Sequence, residues 1–373
     1  MDRIAAWWRA LSPNARRGVV GGGLGVLALA LIGGLVLASG GDEEAAPTTT
    51  TTAVPTTTTT SIVTTTTEPP TGPVAPLTGL RVADPALVAR PALAVKVDNL
   101  DAPGETAVPQ LGLLKADVVF EEIVEGNITR LVGIFHSQQP GRVGPVRSAR
   151  ATDVELLPQL GRPLLAWSGG NAGVTAAVNA SPWIVDVGVD RAPAAYARDG
   201  SRRAPHNLFV EGDQLFDLAP EDALFPPAMF EYRTSGEANP DSAREALGVD
   251  ITWGGGRASS PVSWGWDAEQ RRYIRSQNGQ VHMVEEGEPV NAANVVVLAI
   301  GYGPNAASPA GRTVGDGEMF AFTNGRVIHG TWERGDITRP PVLRDDDGEP
   351  VKLTPGRTWI ELPKPGGTTA VTG

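Results

Sequence analysis

Fourteen of the twenty residues from Thr48 to Thr67 are threonine. A stretch so poor in large apolar side chains cannot bury enough surface to offset the entropy of ordering it. Pro47, Pro55, Pro69, Pro70, Pro73 and Pro76 punctuate the same region. Residues 40–76 therefore read as a disordered Thr/Pro stalk. Residues 41–76 would reach about 110 Å as a polyproline helix and roughly 33 Å as a flexible coil. A plain spacer accounts for this composition, and glycosylated threonines would fit it too. Anything that folds has to do so on one side of the stalk or the other.

The shorter side reads as a membrane anchor. Gly18 to Ser39 is a run of 22 residues without a charge. As a helix it measures about 33 Å, against roughly 30 Å for a hydrocarbon core. Arg3, Arg9, Arg16 and Arg17 precede it. Asp42, Glu43 and Glu44 follow it, with no Lys or Arg before Arg81. The positive-inside rule then places residues 1–17 in the cytoplasm as a short tail and the rest of the chain outside. Trp7 and Trp8 suit the cytoplasmic interface. A cleaved signal peptide is the alternative, with Ala38, Ser39 and Gly40 small enough for a cleavage site, although the apolar run is longer than a usual signal core. The expected location is the cell membrane, as a single-pass protein with an extracytoplasmic head.

The longer side carries the core. Hydrophobic residues make up 41% of the whole chain. Ala92–Asp98, Ala116–Phe120 and Leu131–His136 look like buried strands, as do Leu164–Ser168 and Trp183–Val187. Residues 149–157 and 171–179 have helical spacing, and Pro158 is expected to end the first. Residues 77–233 thus read as a mixed α/β domain and 234–248 as a linker. Residues 249–363 read as a β-rich domain and 364–373 as a loose tail. The fold class is α+β. In the β-rich half, strands are expected at 250–253, 262–266, 272–276, 295–300, 319–323, 327–333 and 358–362. Asn324-Gly325 is a hairpin turn between two of them. Trp253, Trp264, Trp266, Trp332 and Trp359 all fall in this half. They read as core and edge residues, or alternatively as a ligand platform.

Composition excludes several chemistries. The chain has no cysteine, so disulfides, iron–sulfur centres, zinc ribbons and thiol nucleophiles are out. A net charge of -11 argues against a nucleic-acid-coating protein. His136, His206, His282 and His329 are scattered, and no metal site or cofactor is expected. Asp345-Asp346-Asp347-Gly348 resembles part of a calcium loop without its alternating ligand spacing, and reads better as a solvated turn. There is no P-loop, nucleophile elbow or helical His-Glu zinc motif.

The densest polar region runs from Glu121 to Arg150. It holds Glu121, Glu122, Glu125, Thr129 and Arg130, then Arg142, Arg147, Ser148 and Arg150. Gly144-Pro145 leads into a helix expected to begin near Ser148. That would set Arg147 and Arg150 about one turn apart at its N-terminus. Two guanidinium forks and free backbone N–H groups there could hold a phosphate or carboxylate. The competing reading is an internal network, with Glu121 or Glu125 paired to Arg130, Arg147 or Arg150. In a second patch Pro205 fixes the backbone before His206 and Asn207, which could orient a ligand, serve in acid/base work or be structural. Asp98 and Asn99, at the end of the first strand, are a third place for a ligand.

The segments RPALAVKVDN (90–99), PQLGLLKADVVFEEIVEGNITR (109–130), GPVRSAR (144–150) and RAPHN (203–207) resemble the YerB-like lipoprotein family. That family is classed as a domain of unknown function, number 3048. NVVVLAIGY (294–302), GDGEMFAFTNGRVIHGTW (315–332) and GRTWIEL (356–362) resemble its separate C-terminal domain. The likeness covers roughly residues 77–362. It implies an extracytoplasmic, membrane-tethered, two-domain protein and supplies no activity. The chain departs from the lipoprotein members in lacking a cysteine to lipidate, and a spanning helix takes that place.

Three functions compete. The first is a binding module for an anionic cell-wall component or a protein partner, with Arg130, Arg147, Arg150 and His206 forming the pocket. The second is an enzyme acting on lipid-linked envelope glycopolymers. Its layout of tail, span, α/β head and Arg-bearing turn is similar to the LytR-CpsA-Psr transferases. The third is a regulatory or structural scaffold whose charges pair internally.

Overall fold

The computed structural model describes residues 71–253, 261–305 and 308–371. The expected cytoplasmic tail, the expected span at 18–39 and the expected stalk up to residue 70 lie outside them. Among the described residues no helix is long and apolar enough to cross a membrane.

The chain enters the head earlier than its composition suggests. Ala75 is fully buried and its N–H donates to Leu80 O at 2.8 Å. Val74 bridges Arg81 across the same turn. The end of the expected stalk therefore belongs to the head, because Leu77 and Ala75 have apolar surface to bury.

The head is sheet-rich with few helices. Its first half supplies β1 (Leu93–Asp98), β2 (Val118–Ile123) and β3 (Thr129–Phe135), then helix α1 (Ala151–Leu156), β4 (Leu164–Ala166), helix α2 (Ala172–Ala180) and β5 (Val185–Asp186). The second half supplies β6 (Arg244–Glu245), β7 (Gly248–Ile251), β8 (Val262–Asp267), β9 (Arg272–Gln277) and β10 (Asn294–Leu298). It continues with β11 (Gly315–Thr323), β12 (Arg326–Arg334), β13 (Val342–Asp345), β14 (Thr358–Leu362) and β15 (Thr368–Val371). Pro158 does not end the α1 region outright. The chain tightens there into a 3-10 turn over Leu157–Leu160, which tolerates Pro in its first turn.

The halves share one eleven-stranded sheet in the order β6-β12-β11-β10-β14-β2-β3-β1-β4-β5, with β13 added against β12. The join is β14. It runs parallel to β10 on one side and to β2 on the other. Strands β1, β2 and β3 are buried along their whole length, as expected of strands covered on both faces. One face carries Ala94, Phe120, Val132 and Ile360 against Leu156, Leu160 of the 3-10 turn and Val174 of α2. The other carries Val95, Val119, Val297 and Trp359 against a six-stranded sheet that contains β15, β7, β8 and β9. Trp253 and Trp264 are buried in this second layer, and Trp264 meets Trp359 edge-on at 5.2 Å between ring centroids. Trp332 is buried in the core on the helix side.

The Asn324-Gly325 turn joins β11 to β12, and both residues have positive φ, at 52° and 72°. That is the backbone a two-residue hairpin needs, and Asn and Gly tolerate it best. Residues 234–248 are not merely a connector, because β6 within them pairs with β12. The expected loose tail at 364–373 holds β15, which pairs with β7 from Gly248 to Ile251. The edge of β7 supplies the backbone partners that the short polar sequence cannot supply alone.

Candidate functional site

Strand alternation decides which charged residues can meet. Asp98 of β1 and Arg130 of β3 are register partners, so their side chains share a face. Arg130 Nη1 donates to Asp98 Oδ1 at 2.7 Å, with both side chains buried. Glu121 is paired in register with Leu131 and Glu122 with Arg130. Glu121 therefore faces away from Arg130, and the expected pairing of Glu121 with Arg130, Arg147 or Arg150 is geometrically blocked.

Three cations converge on Asp98. Besides Arg130, His206 Nδ1 lies 2.6 Å from Oδ2, and Arg147 Nε lies 2.9 Å from the same oxygen. The Arg147 approach is a charge contact rather than a hydrogen bond. Burial opposes the ionisation of Asp98. The hydrogen bond from His206 and the charges of Arg130 and Arg147 outweigh it, so the carboxylate sits below its ordinary value. The same hydrogen bond, helped by one to Glu105, raises His206 above the usual imidazole value. His206 Nε2 reaches Glu105 Oε1 at 2.9 Å. Glu105 belongs to a short hairpin, Asp101–Ala102 with Glu105–Thr106, that pairs only with itself.

The helix expected near Ser148 begins at Ala151, with Arg150 extended before it. Arg147 is held in an extended segment, where its N–H donates to Lys96 O at 2.9 Å. Asp153 is the reason for the late start. Its Oδ2 accepts from the Arg150 N–H at 2.6 Å and Oδ1 accepts from Lys96 Nζ at 2.9 Å. An acid of the chain already caps this six-residue helix, which removes the N-terminal anion seat read from the sequence. Burial pushes Asp153 up to about 6. Lys96 also pairs with the buried Glu122.

Arg150 turns to Glu125 in a two-pronged pair, with Nε 2.8 Å from Oε2 and Nη2 reaching Oε1. It also donates to Ala149 O at 2.9 Å. Arg147 is different. Its side chain is 23% exposed, and its two terminal nitrogens have no protein partner among the described residues. Ser148, next in the chain, lines an open hollow of about 280 Å³ with Glu125, Arg150, Gly170 and Asn171. His206, which shares Asp98 with Arg147, lines another of about 490 Å³.

Asn99, Glu121 and Thr129 lie on the opposite sheet face. Asn99 Nδ2 and Thr129 Oγ1 both donate to Glu121 Oε1, at 3.0 and 2.7 Å. Arg275 of β9 closes on Glu121 with a fork of 2.9 and 2.8 Å. Arg275 Nη1 meets His282 Nδ1 at 2.5 Å, and His282 Nε2 meets Gln110 Oε1 at 2.6 Å. Burial, then the charge of Arg275, lowers His282 well below the usual value, so this imidazole is neutral. The cluster pairs within itself, apart from Arg275 Nε, which is buried without a hydrogen-bond partner among the described residues. Asn207 is likewise occupied, accepting from Arg198 Nη1 at 2.8 Å and donating to Asp199 O at 3.2 Å.

Sequence reasoning missed Arg275, Lys96 and Glu105. A signal existed for the first two. Tyr273, Arg275 and Gln277 alternate inward along β9, and Lys96 interrupts an otherwise apolar strand. Glu105 had none, since its partner is 101 residues away. Asp345 Oδ1 accepts from the N–H groups of Asp347 and Glu349 at 3.1 and 2.9 Å, which makes that segment a self-capped turn. Among the described residues no group of three or more acids and histidines is arranged to hold a metal.

Two family models match in order. They are the N-terminal domain of a protein of unknown function, DUF3048, over residues 77–224, and its C-terminal domain over residues 249–360. The chain is similar to “Putative lipoprotein YerB” of Bacillus subtilis (strain 168). The two are 30% identical over 301 residues, which is 77% of this chain and 85% of that protein. Its fold is similar to the crystal structure of YerB protein from Bacillus subtilis. The TM-score is 0.68 at 27% identity, covering 79% of this chain and 98% of that one.

Proposed function

Given that this chain belongs to the DUF3048 family, whose N- and C-terminal domain models it matches, we propose that it is a membrane-attached extracytoplasmic module that binds an anionic component of the cell envelope. The likeness to a lipoprotein supports the location. The uncharged segment Gly18–Ser39 would serve as the anchor in place of a lipid, and residues 40–70 would hold the head away from the membrane.

One observation carries the binding reading. The Arg147 guanidinium rests on Asp98 through Nε and keeps its outer nitrogens unpartnered and open to solvent. Arg150, three residues on, instead has all three of its nitrogens engaged, on Glu125 and on Ala149 O. Arg130, Arg147, Arg150 and His206 are set against Asp98, Glu105 and Glu125, and the hydrogen bond to Asp98 raises His206 above the usual imidazole value. A ligand carboxylate or phosphate would meet the free fork of Arg147 bidentately, with the Ser148 hydroxyl in the adjoining hollow.

The test uses isolated cell walls, untreated or stripped of their anionic polymers. The full-length chain should sediment with untreated walls and not with stripped ones, and Arg147→Ala should release it. Equal retention on both preparations would sink the reading.

A further inference from the structure

A second feature of the same neighbourhood has no role in folding. Glu105 is half-exposed, at 52% of its side chain, yet it meets His206, which is 3% exposed. The ring is fixed from behind, because Asp98 holds Nδ1 at 2.6 Å and so aims Nε2 outward. Around this contact lies the open hollow of about 490 Å³, lined by Gly104, Glu105, Thr106, Arg202, Arg203 and His206. Arg203 is exposed, and its side chain makes a long 3.4 Å hydrogen bond to Gly104 O. Glu105 also feels the positive charges of Arg203 and Arg147.

We infer that this hollow is an oxyanion seat, for the carboxylate or phosphate group of a ligand, and that Glu105 occupies it as a displaceable stand-in. The assignment rests on the binding reading above for the sign of the ligand's charge. Glu105 has the properties of a stand-in. Its carboxylate has a single hydrogen-bond partner, the His206 ring. The hairpin that carries it is tied to the rest of the head through Asp101, which accepts from Asn278 Nδ2 at 2.8 Å. The Glu105 side of the pair is open to water, which screens it, so a ligand can replace it at little loss. The incoming anion would gain the His206 N–H, the exposed guanidinium of Arg203 and the field of Arg147. A ligand with two acidic groups could then engage Arg147 with one and displace Glu105 with the other.

The experiment titrates inorganic phosphate, and acetate in parallel, into the full-length chain while His206 is followed by NMR of labelled imidazoles. A His206→Asn variant assigns the signal. Glu105→Gln should bind phosphate about tenfold more tightly than the wild type, with a shift of the His206 resonance. Adding Arg203→Ala should remove that gain. A response to acetate as well marks a general oxyanion seat, and a response to phosphate alone marks a phosphate seat. Equal affinity in wild type and Glu105→Gln, or a gain that leaves His206 unmoved, overturns the inference. A chain that binds walls through Arg147 but shows no gain in Glu105→Gln loses only the seat. A chain that shows the gain and ignores walls loses only the wall reading.

Discussion

Glu361 of β14 and Glu121 of β2 are register partners on parallel strands, both fully buried and facing the same core. Arg275 forks onto Glu121, while Trp264 Nε1 donates to Glu361 Oε1 at 2.7 Å. One guanidinium faces two carboxyls here, and two adjacent buried carboxylates cannot both ionise. Burial, then the charge of Glu121, raises Glu361 well above its ordinary value, so Glu361 keeps its proton.

That proton has a measurable sign. Unfolded Glu361 would lose it near pH 4.3, whereas the folded protein retains it far higher. In between, the folded state holds one more proton than the unfolded state. Stability therefore falls as pH rises, by up to about 1.4 kcal/mol per pH unit from this group. Glu361→Gln removes the titration while keeping the shape. Its denaturation midpoint should gain on the wild type as pH rises above 5, and parallel curves would contradict the protonated assignment.

Arg275 should be among the residues least tolerant of replacement. Arg275→Met leaves the buried Glu121 carboxylate without its counter-ion and should lower stability by about 3–5 kcal/mol. Pairing it with Glu121→Gln should restore part of the loss, because the unpaired charge is gone. Urea unfolding of the two single variants and the double variant measures this coupling.

Tyr302 joins the halves at another point. Its hydroxyl accepts from the Ile123 N–H at 3.0 Å and donates to Leu362 O at 2.7 Å. Tyr302→Phe should cost about 1–3 kcal/mol, since it strands a buried donor and acceptor. Faster exchange of the Ile123 amide relative to its neighbours in β2 would locate the damage, and unchanged exchange would count against this role.

The two arginines of the first domain should separate cleanly. Arg147→Ala should weaken ligand binding at least tenfold and lower the melting temperature only modestly, since the buried Asp98 keeps Arg130 and His206 as partners. Arg150→Ala should do the opposite first, losing about 1–2 kcal/mol because Glu125 and the Ala149 carbonyl lose their donor. Calorimetric binding and thermal melts on both variants check this.

Local pattern carried much of this structure. Strand Thr358–Leu362 lies where its β-branched and aromatic residues place it, and the Asn324-Gly325 turn follows from two side chains. Asp98 was legible from the end of a strand, Arg130 and Arg147 from the dense run of charge between Glu121 and Arg150, and His206 from the Pro205 that precedes it. Their partners were not legible. Glu121 finds Arg275 154 positions along the chain, and no periodicity encodes that distance. The helix start was misplaced for a local reason, since Asp153 reaches back to the Arg150 N–H and competes with the anion it was expected to leave room for. The loose reading of the last ten residues failed because β15 borrows its order from the edge of β7.

Strand β14 sits between β2 and β10 and is made after both of them. A growing polypeptide that has not yet reached Thr358 presents β2 and β10 as two open edges, with unpaired N–H and C=O groups along each. The central seam closes only once β14 has emerged, so the order of synthesis runs against the order of assembly. Slow folding governed by long-range strand pairing is the natural outcome. A head emerging on the far side of a membrane would therefore depend on guarding those edges until β14 arrives.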